Sequence, residues 1–119
     1  MAPRYQKLSD FYWYYLTEHR NPICRGLHLF GTFLVILMLV VIPFTGRLVW
    51  LWLLPVVGYG FAWIGHAFFE KNKPATFQYP LFSLASDFIM LWDFLTGKLT
   101  AKLSQAPQKV EEFRTTNLS

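Results

Sequence analysis

Charge is scarce in this sequence. Lys, Arg, Asp and Glu account for 15% of its 119 residues, against roughly 25% in an ordinary soluble domain. Acids are the scarcer sign, 7 against 11 bases for a net charge of +4. The bases form no run, which excludes a nucleic-acid-binding tail. Cys24 is the only cysteine, so no intramolecular disulfide can form; beside a long apolar run it reads as a packing residue. There is no Gly-rich phosphate loop, no GxSxG and no HExxH, which removes the signatures of nucleotide binding, of α/β-hydrolases and of zincin proteases. Apolar and aromatic residues fill the space. The AVILMFWYC set reaches 54%, and 12 Phe, 6 Tyr and 5 Trp make 19% of the chain aromatic. A soluble fold of this size buries only about two-thirds of its chain surface and cannot hide that much apolar area. Disorder and an ordinary soluble enzyme are therefore excluded, and a one-domain membrane protein is indicated.

Two apolar runs organise the chain. Residues 27–44 are 18 positions without a charge, and residues 48–69 are 22; crossing the hydrocarbon core takes about 20. Only Thr45, Gly46 and Arg47 separate them. Pro43 and Gly46 are helix-stop signals, so the expectation is a tight antiparallel hairpin, with Pro55 kinking its second helix. A third run, about 80–96, carries Asp87 and Asp93 and is amphipathic. If it spans, Lys and Arg split 6:5 across the membrane; if it does not, they split 10:1, a strong positive-inside pattern. The second arrangement is expected, with both termini cytoplasmic and the third helix re-entrant or interfacial. The aromatic segment after Ser9, read as an N-cap, suits an interfacial helix. No cleavable signal is expected, because a largely polar and aromatic stretch of 26 residues precedes the first apolar run, and Ala2 excludes N-myristoylation. The fold class is thus all-α, an integral membrane hairpin with one or two further amphipathic or re-entrant helices. Residues 1–103 form a single membrane domain, and residues 104–119 a polar tail expected to fray.

The three histidines gather on one rim of this hairpin. His28 lies 17 residues before the turn and His66 lies 20 after it, so at about 1.5 Å per residue their depths differ by only about 5 Å. His19 precedes the first span on the same side. Glu70, four residues after His66, shares its helix face, and Asp87 lies seven residues past Pro80 in the third run, which begins on that side. The opposite rim offers only Arg47 and Asp93. Small and polar residues form three stripes, Gly58–Ala62–His66–Glu70, Cys24–His28–Thr32 with Gly31, and Ser83–Ser86–Asp87–Met90, suited to close helix approach and expected to face one another. Imidazole plus carboxylate without thiolate suits iron(II), zinc or manganese, and two histidines with one carboxylate is the pattern of non-haem iron oxygenases. Plainer readings stand beside this. The histidines can contact headgroup water at the boundary, the chain can be a non-catalytic scaffold or lipid-binding protein, and His28 with His66 can hold a haem for electron transfer.

Three blocks then carry a resemblance: HRNPICRGLHLFG at residues 19–31, GHAFFEKNKPAT at 65–76 and PLFSLASDFIM at 80–90. Together they resemble the Mpo-like 2-hydroxy fatty acid dioxygenase family, small membrane proteins formerly known only as a domain of unknown function. A fungal member is an iron(II)-dependent dioxygenase of fatty acid α-oxidation, which shortens a 2-hydroxy fatty acid by one carbon. The resemblance implies iron(II) held by His19, His28 and His66. It places Glu70, Asn72 and Asp87 at motif positions as catalytic or additional ligand candidates, and Asn21 and Pro22 at the turn before the first span. Arg20, Arg25 or Lys71 can pair with the substrate carboxylate. The expected partners are membrane lipid, the 2-hydroxy fatty acid and O₂, with a homo-oligomer left open. The expected location is a bacterial inner membrane or the endoplasmic reticulum, with the site at the cytoplasmic rim.

Overall fold

Asn21 starts the longest helix of the computed structural model, which describes residues 5–73 and 78–118; Ala2, positions 74–76 of the second block and Ser119 lie outside them. The described residues form helices without strands: α1 Leu8–Thr17, α2 Pro22–Thr45, α3 Leu53–Gly65, α4 Pro80–Leu95 and α5 Leu99–Leu118. A 3₁₀ turn, Leu48–Trp52, leads into α3, and a π-helical turn, His66–Glu70, follows it. The chain divides into two compact units, residues 21–74 and residues 1–20 with 75–119.

Residues 21–74 make the expected hairpin. The Asn21 side chain accepts from the backbone N–H groups of Ile23 and Cys24, and Pro22 takes the first helical position, where its missing N–H costs nothing. Helix α2 runs through Pro43 and ends on Gly46, whose φ of 71° places it in the left-handed cap position that glycine favours. The expected proline kink takes another form. The preceding 3₁₀ turn leaves Pro55 in the first turn of α3, where a proline is tolerated. Helices α2 and α3 pack through Cys24, His28, Gly31 and Thr32 on one side and Ala62 and Gly65 on the other. Two of the stripes read in the sequence therefore do meet.

The rest of the hairpin surface is apolar and turned outward. Phe44 is 88% exposed and Trp52 80%, and Phe30, Phe33, Val40, Val56 and Phe68 are exposed as well. Pro22–Thr45 and Leu48–Glu70 are long and apolar enough to cross a membrane, and only 22% and 11% of their apolar windows are buried. A core helix of a soluble protein would be mostly buried; an outward apolar surface of this extent calls for lipid or a partner.

In the other unit, α1 packs against α4 and α5. Its apolar face, Phe11, Tyr12, Tyr15 and Leu16, is buried, so this aromatic segment supplies the core of a helical cluster. Ser9 is not its cap: α1 begins one residue earlier, after Lys7. The tail does not fray. It forms α5, because Leu99 and Ala106, one heptad apart, are buried and Phe113, a heptad further, stacks on Tyr5. One carboxylate joins the three helices. Asp93, buried in α4, accepts from the Tyr12 hydroxyl at 2.7 Å and from Lys102 Nζ at 3.0 Å on both oxygens. Burial, then the bond to Asp93 and its charge, raise the Tyr12 pKa well above its ordinary value, so the phenol remains a donor throughout the neutral range. With 16 residues, α4 is about 24 Å long, short of the ~30 Å hydrocarbon core.

Candidate metal centre

The hairpin unit brings two of the three histidines together. His28 sits one turn after Cys24 on α2, and His66 opens the π turn after α3; all three are buried. The two imidazole centroids lie 5.0 Å apart with the rings at 87°. One ligand atom from each of Cys24, His28 and His66 falls within 4.8 Å of the others. Metal–nitrogen and metal–sulfur bonds of about 2.0–2.3 Å hold two donors of one ion at most about 4.6 Å apart, so these three side chains need only a small inward shift to share an ion.

The π turn explains how His66 is held. It widens the last turn so that the N–H groups of Lys71 and Asn72 both reach the His66 carbonyl, the latter at 3.1 Å. Lys71 takes a left-handed φ of 57°, a conformation a non-glycine residue adopts only where its surroundings require it. The chain thereby doubles back, and Asn72 Oδ1 accepts from His66 Nδ1 at 2.6 Å. With its proton fixed on Nδ1, His66 carries the lone pair on Nε2, the arrangement of a metal-ligating histidine and its outer partner. π turns occur often at functional sites. Glu70 does not join the donors: its carboxylate accepts from the Asn21 backbone N–H and so ties the end of the π turn to the start of α2.

The third histidine lies in the other unit. His19 is buried, and its Nδ1 donates to the Tyr15 carbonyl at 2.6 Å, which again assigns the lone pair to Nε2. Tyr15 packs against its ring with centroids 4.1 Å apart and the planes tilted by 30°, and donates its hydroxyl to Asp87. Asp87 therefore reaches His19 through Tyr15. Ser83 and Ser86 are buried on the same helix as Asp87, and their hydroxyls have no partner among the described residues. Arg20 and Lys71 are exposed and Arg25 half-buried.

The family described as 2-hydroxy-palmitic acid dioxygenase Mpo1-like matches residues 5–99. The chain belongs to the Mpo1-like family. Neither a curated protein nor a solved structure matches it. The Mpo1-like match spans all three blocks read in the sequence and helices α1 to α4, and ends where α5 begins. Two residues, one in each unit, have partners that sequence reasoning did not assign. Cys24 was read as packing, although its four-residue spacing from His28 put both on one helix face. Tyr15 left no signal, because it holds His19 through a backbone carbonyl, which any residue possesses.

Proposed function

We propose that this chain is an iron(II)-dependent membrane dioxygenase that shortens 2-hydroxy fatty acids by one carbon. The observation that carries the reading is the buried His28–His66 pair with His66 fixed through Nδ1 by Asn72, at one end of a hairpin whose outer surface is apolar. Imidazole donors fit iron(II). His19 joins His28 and His66 as a ligand: it stands two residues before Asn21, a tether of at most about 7 Å, and Asn21 caps the helix turn that holds Cys24.

Bound iron supplies a centre able to take the hydroxyl and carboxylate oxygens of the substrate together with O₂. The protein's residues do the rest. The outward apolar faces of α2 and α3 hold the acyl chain among lipid tails. Arg20, Arg25 and Lys71 lie near His19, His28 and His66 in sequence and pair with the carboxylate. Asn72 and Tyr15 keep the proton of His66 and His19 on Nδ1. Glu70 and Asp87 act as positioning residues, Glu70 on the N-terminus of α2 and Asp87 through Tyr15. Cleavage of the C1–C2 bond, with one O₂ as the four-electron oxidant, yields the one-carbon-shorter acid, CO₂ and water. The membrane is a bacterial inner membrane or the endoplasmic reticulum, and the site opens at its cytoplasmic rim.

A bis-histidine haem is disfavoured by the packing. Helices α2 and α3 approach closely on both sides of the pair, where a methyl on Gly31 would lie 3.2 Å from Phe61 Cβ and one on Gly65 2.9 Å from Cys24 Sγ, which leaves no flat slot between them for a porphyrin. The test is metal content and turnover in protein purified without oxygen. Near-stoichiometric iron that falls in His66→Ala, with O₂ uptake on 2-hydroxy fatty acids, is the expected result. No metal after iron(II) reconstitution returns the chain to a scaffold or lipid-binding role.

A further inference from the structure

We propose that the Cys24 thiolate is itself a metal ligand, so that the centre is a mixed thiolate–imidazole site rather than an all-histidine one. The inference rests on the metal reading above and deepens it. Cys24 is fully buried, yet its sulfur is not set among aliphatic side chains alone. It lies within 4.8 Å of the donor nitrogens of two buried histidines. Cys24 and His28 project from successive turns of one face of α2, and the residue facing that sulfur on α3 is Gly65, immediately before His66.

Gly65 is the second observation. An added Cβ there would stand 2.9 Å from Cys24 Sγ and 3.2 Å from Cys24 Cα. Every residue larger than glycine would drive α3 off the sulfur and carry His66 with it. A cysteine chosen for volume needs only ordinary van der Waals neighbours at 3.5–4.0 Å. Here the facing helix gives up its side chain at the position that lets a sulfur and an imidazole from the two helices share one space. Two neutral nitrogen donors beside a soft anionic sulfur favour iron(II), zinc or cobalt over the harder magnesium or manganese.

The experiment loads the full-length protein in mild detergent with cobalt(II), without oxygen, and reads two absorptions. Visible d–d bands report that cobalt is bound, whatever the ligands. A near-ultraviolet sulfur-to-cobalt charge-transfer band reports the thiolate. Wild type is expected to show both. Cys24→Ser is expected to keep the d–d bands, to lose the charge-transfer band and to bind cobalt at least about tenfold more weakly in chelator competition. Because Cys24→Ser can fail to fold, X-ray absorption of zinc-loaded wild type gives an independent answer, expected as a sulfur neighbour near ~2.3 Å beside nitrogens at ~2.0–2.1 Å. Bound metal with only nitrogen and oxygen neighbours overturns the thiolate and leaves the histidine centre standing, as does a charge-transfer band that persists in Cys24→Ser. Failure of wild type to bind cobalt, zinc or iron overturns both.

Discussion

Asn72 Oδ1 is the smallest feature on which the proposed centre depends. It accepts from His66 Nδ1, and outer partners of this kind are worth about 10–100-fold in metal affinity. Asn72→Leu, close in size and without an acceptor, is expected to weaken iron or cobalt binding by that factor in chelator competition. Asn72→Asp, which restores an acceptor, should recover most of it, while thermal stability changes little in either. Unchanged affinity in Asn72→Leu would reduce Asn72 to a loop residue. This contact also marks the limit of sequence reading at the residue scale. The histidines stand out because there are three and the hairpin turn sets their depth. The partner of His66 does not, because a helix of ordinary pitch carries the chain onward past residue 70. It takes a π turn and a left-handed Lys71 to fold Asn72 back, and no periodicity announces either. Glu70 illustrates the same point. Four residues from His66, it belongs to one face of an α-helix, but the wider turn sends its carboxylate to the Asn21 N–H instead.

At the scale of elements, the hairpin was legible and the helices around it were less so. Two charge-free runs separated by a three-residue turn leave one simple arrangement, and Asn21, Pro22 and Gly46 act as the caps their residue types favour. The C-terminal helix was not legible, because Leu99 and Ala106 are too few to form an apolar stripe in a polar segment. What holds it includes an ion pair between helices rather than its own pattern. Asp93 is nearly inaccessible, whereas the Lys102 side chain is a third exposed, and Tyr12 supplies the remaining donor. Removing the cation while keeping the stem, as in Lys102→Met, leaves a buried carboxylate with the phenol alone. Breaking a fully buried pair costs about 3–5 kcal/mol; with Lys102 partly solvated and Tyr12 retained, a loss of about 1–3 kcal/mol is expected. It should appear as a lower Tm and as faster proteolysis within residues 99–118, with metal content of the hairpin preserved. Equal stability would mean that α5 docks through its apolar contacts alone.

For the whole molecule the open quantity is topology. Helix α4 is shorter than the hydrocarbon core and buries Asp93, while α2 and the segment Leu48–Glu70 each have the length and the outward apolar surface to cross it. Two spans leave Arg47 as the sole cation on one side and the other ten bases on the opposite side, the distribution that sets orientation. Three spans would divide the bases almost evenly and bring a short helix with two acids through the bilayer, where an acid near the centre costs about 2.5–3.5 kcal/mol on insertion scales. The difference can be read with single cysteines on a Cys24→Ser background, or on wild type if that variant does not fold, since Cys24 is buried. Thr45→Cys lies at the hairpin turn and Ser104→Cys at the start of the tail. Labelling of the two by an impermeant reagent from opposite faces of sealed vesicles is the expected outcome and fixes both termini on the side of the metal centre. Labelling from the same face would make α4 a third span. Asp87, which accepts from the Tyr15 hydroxyl, would then belong to a helix inside the membrane.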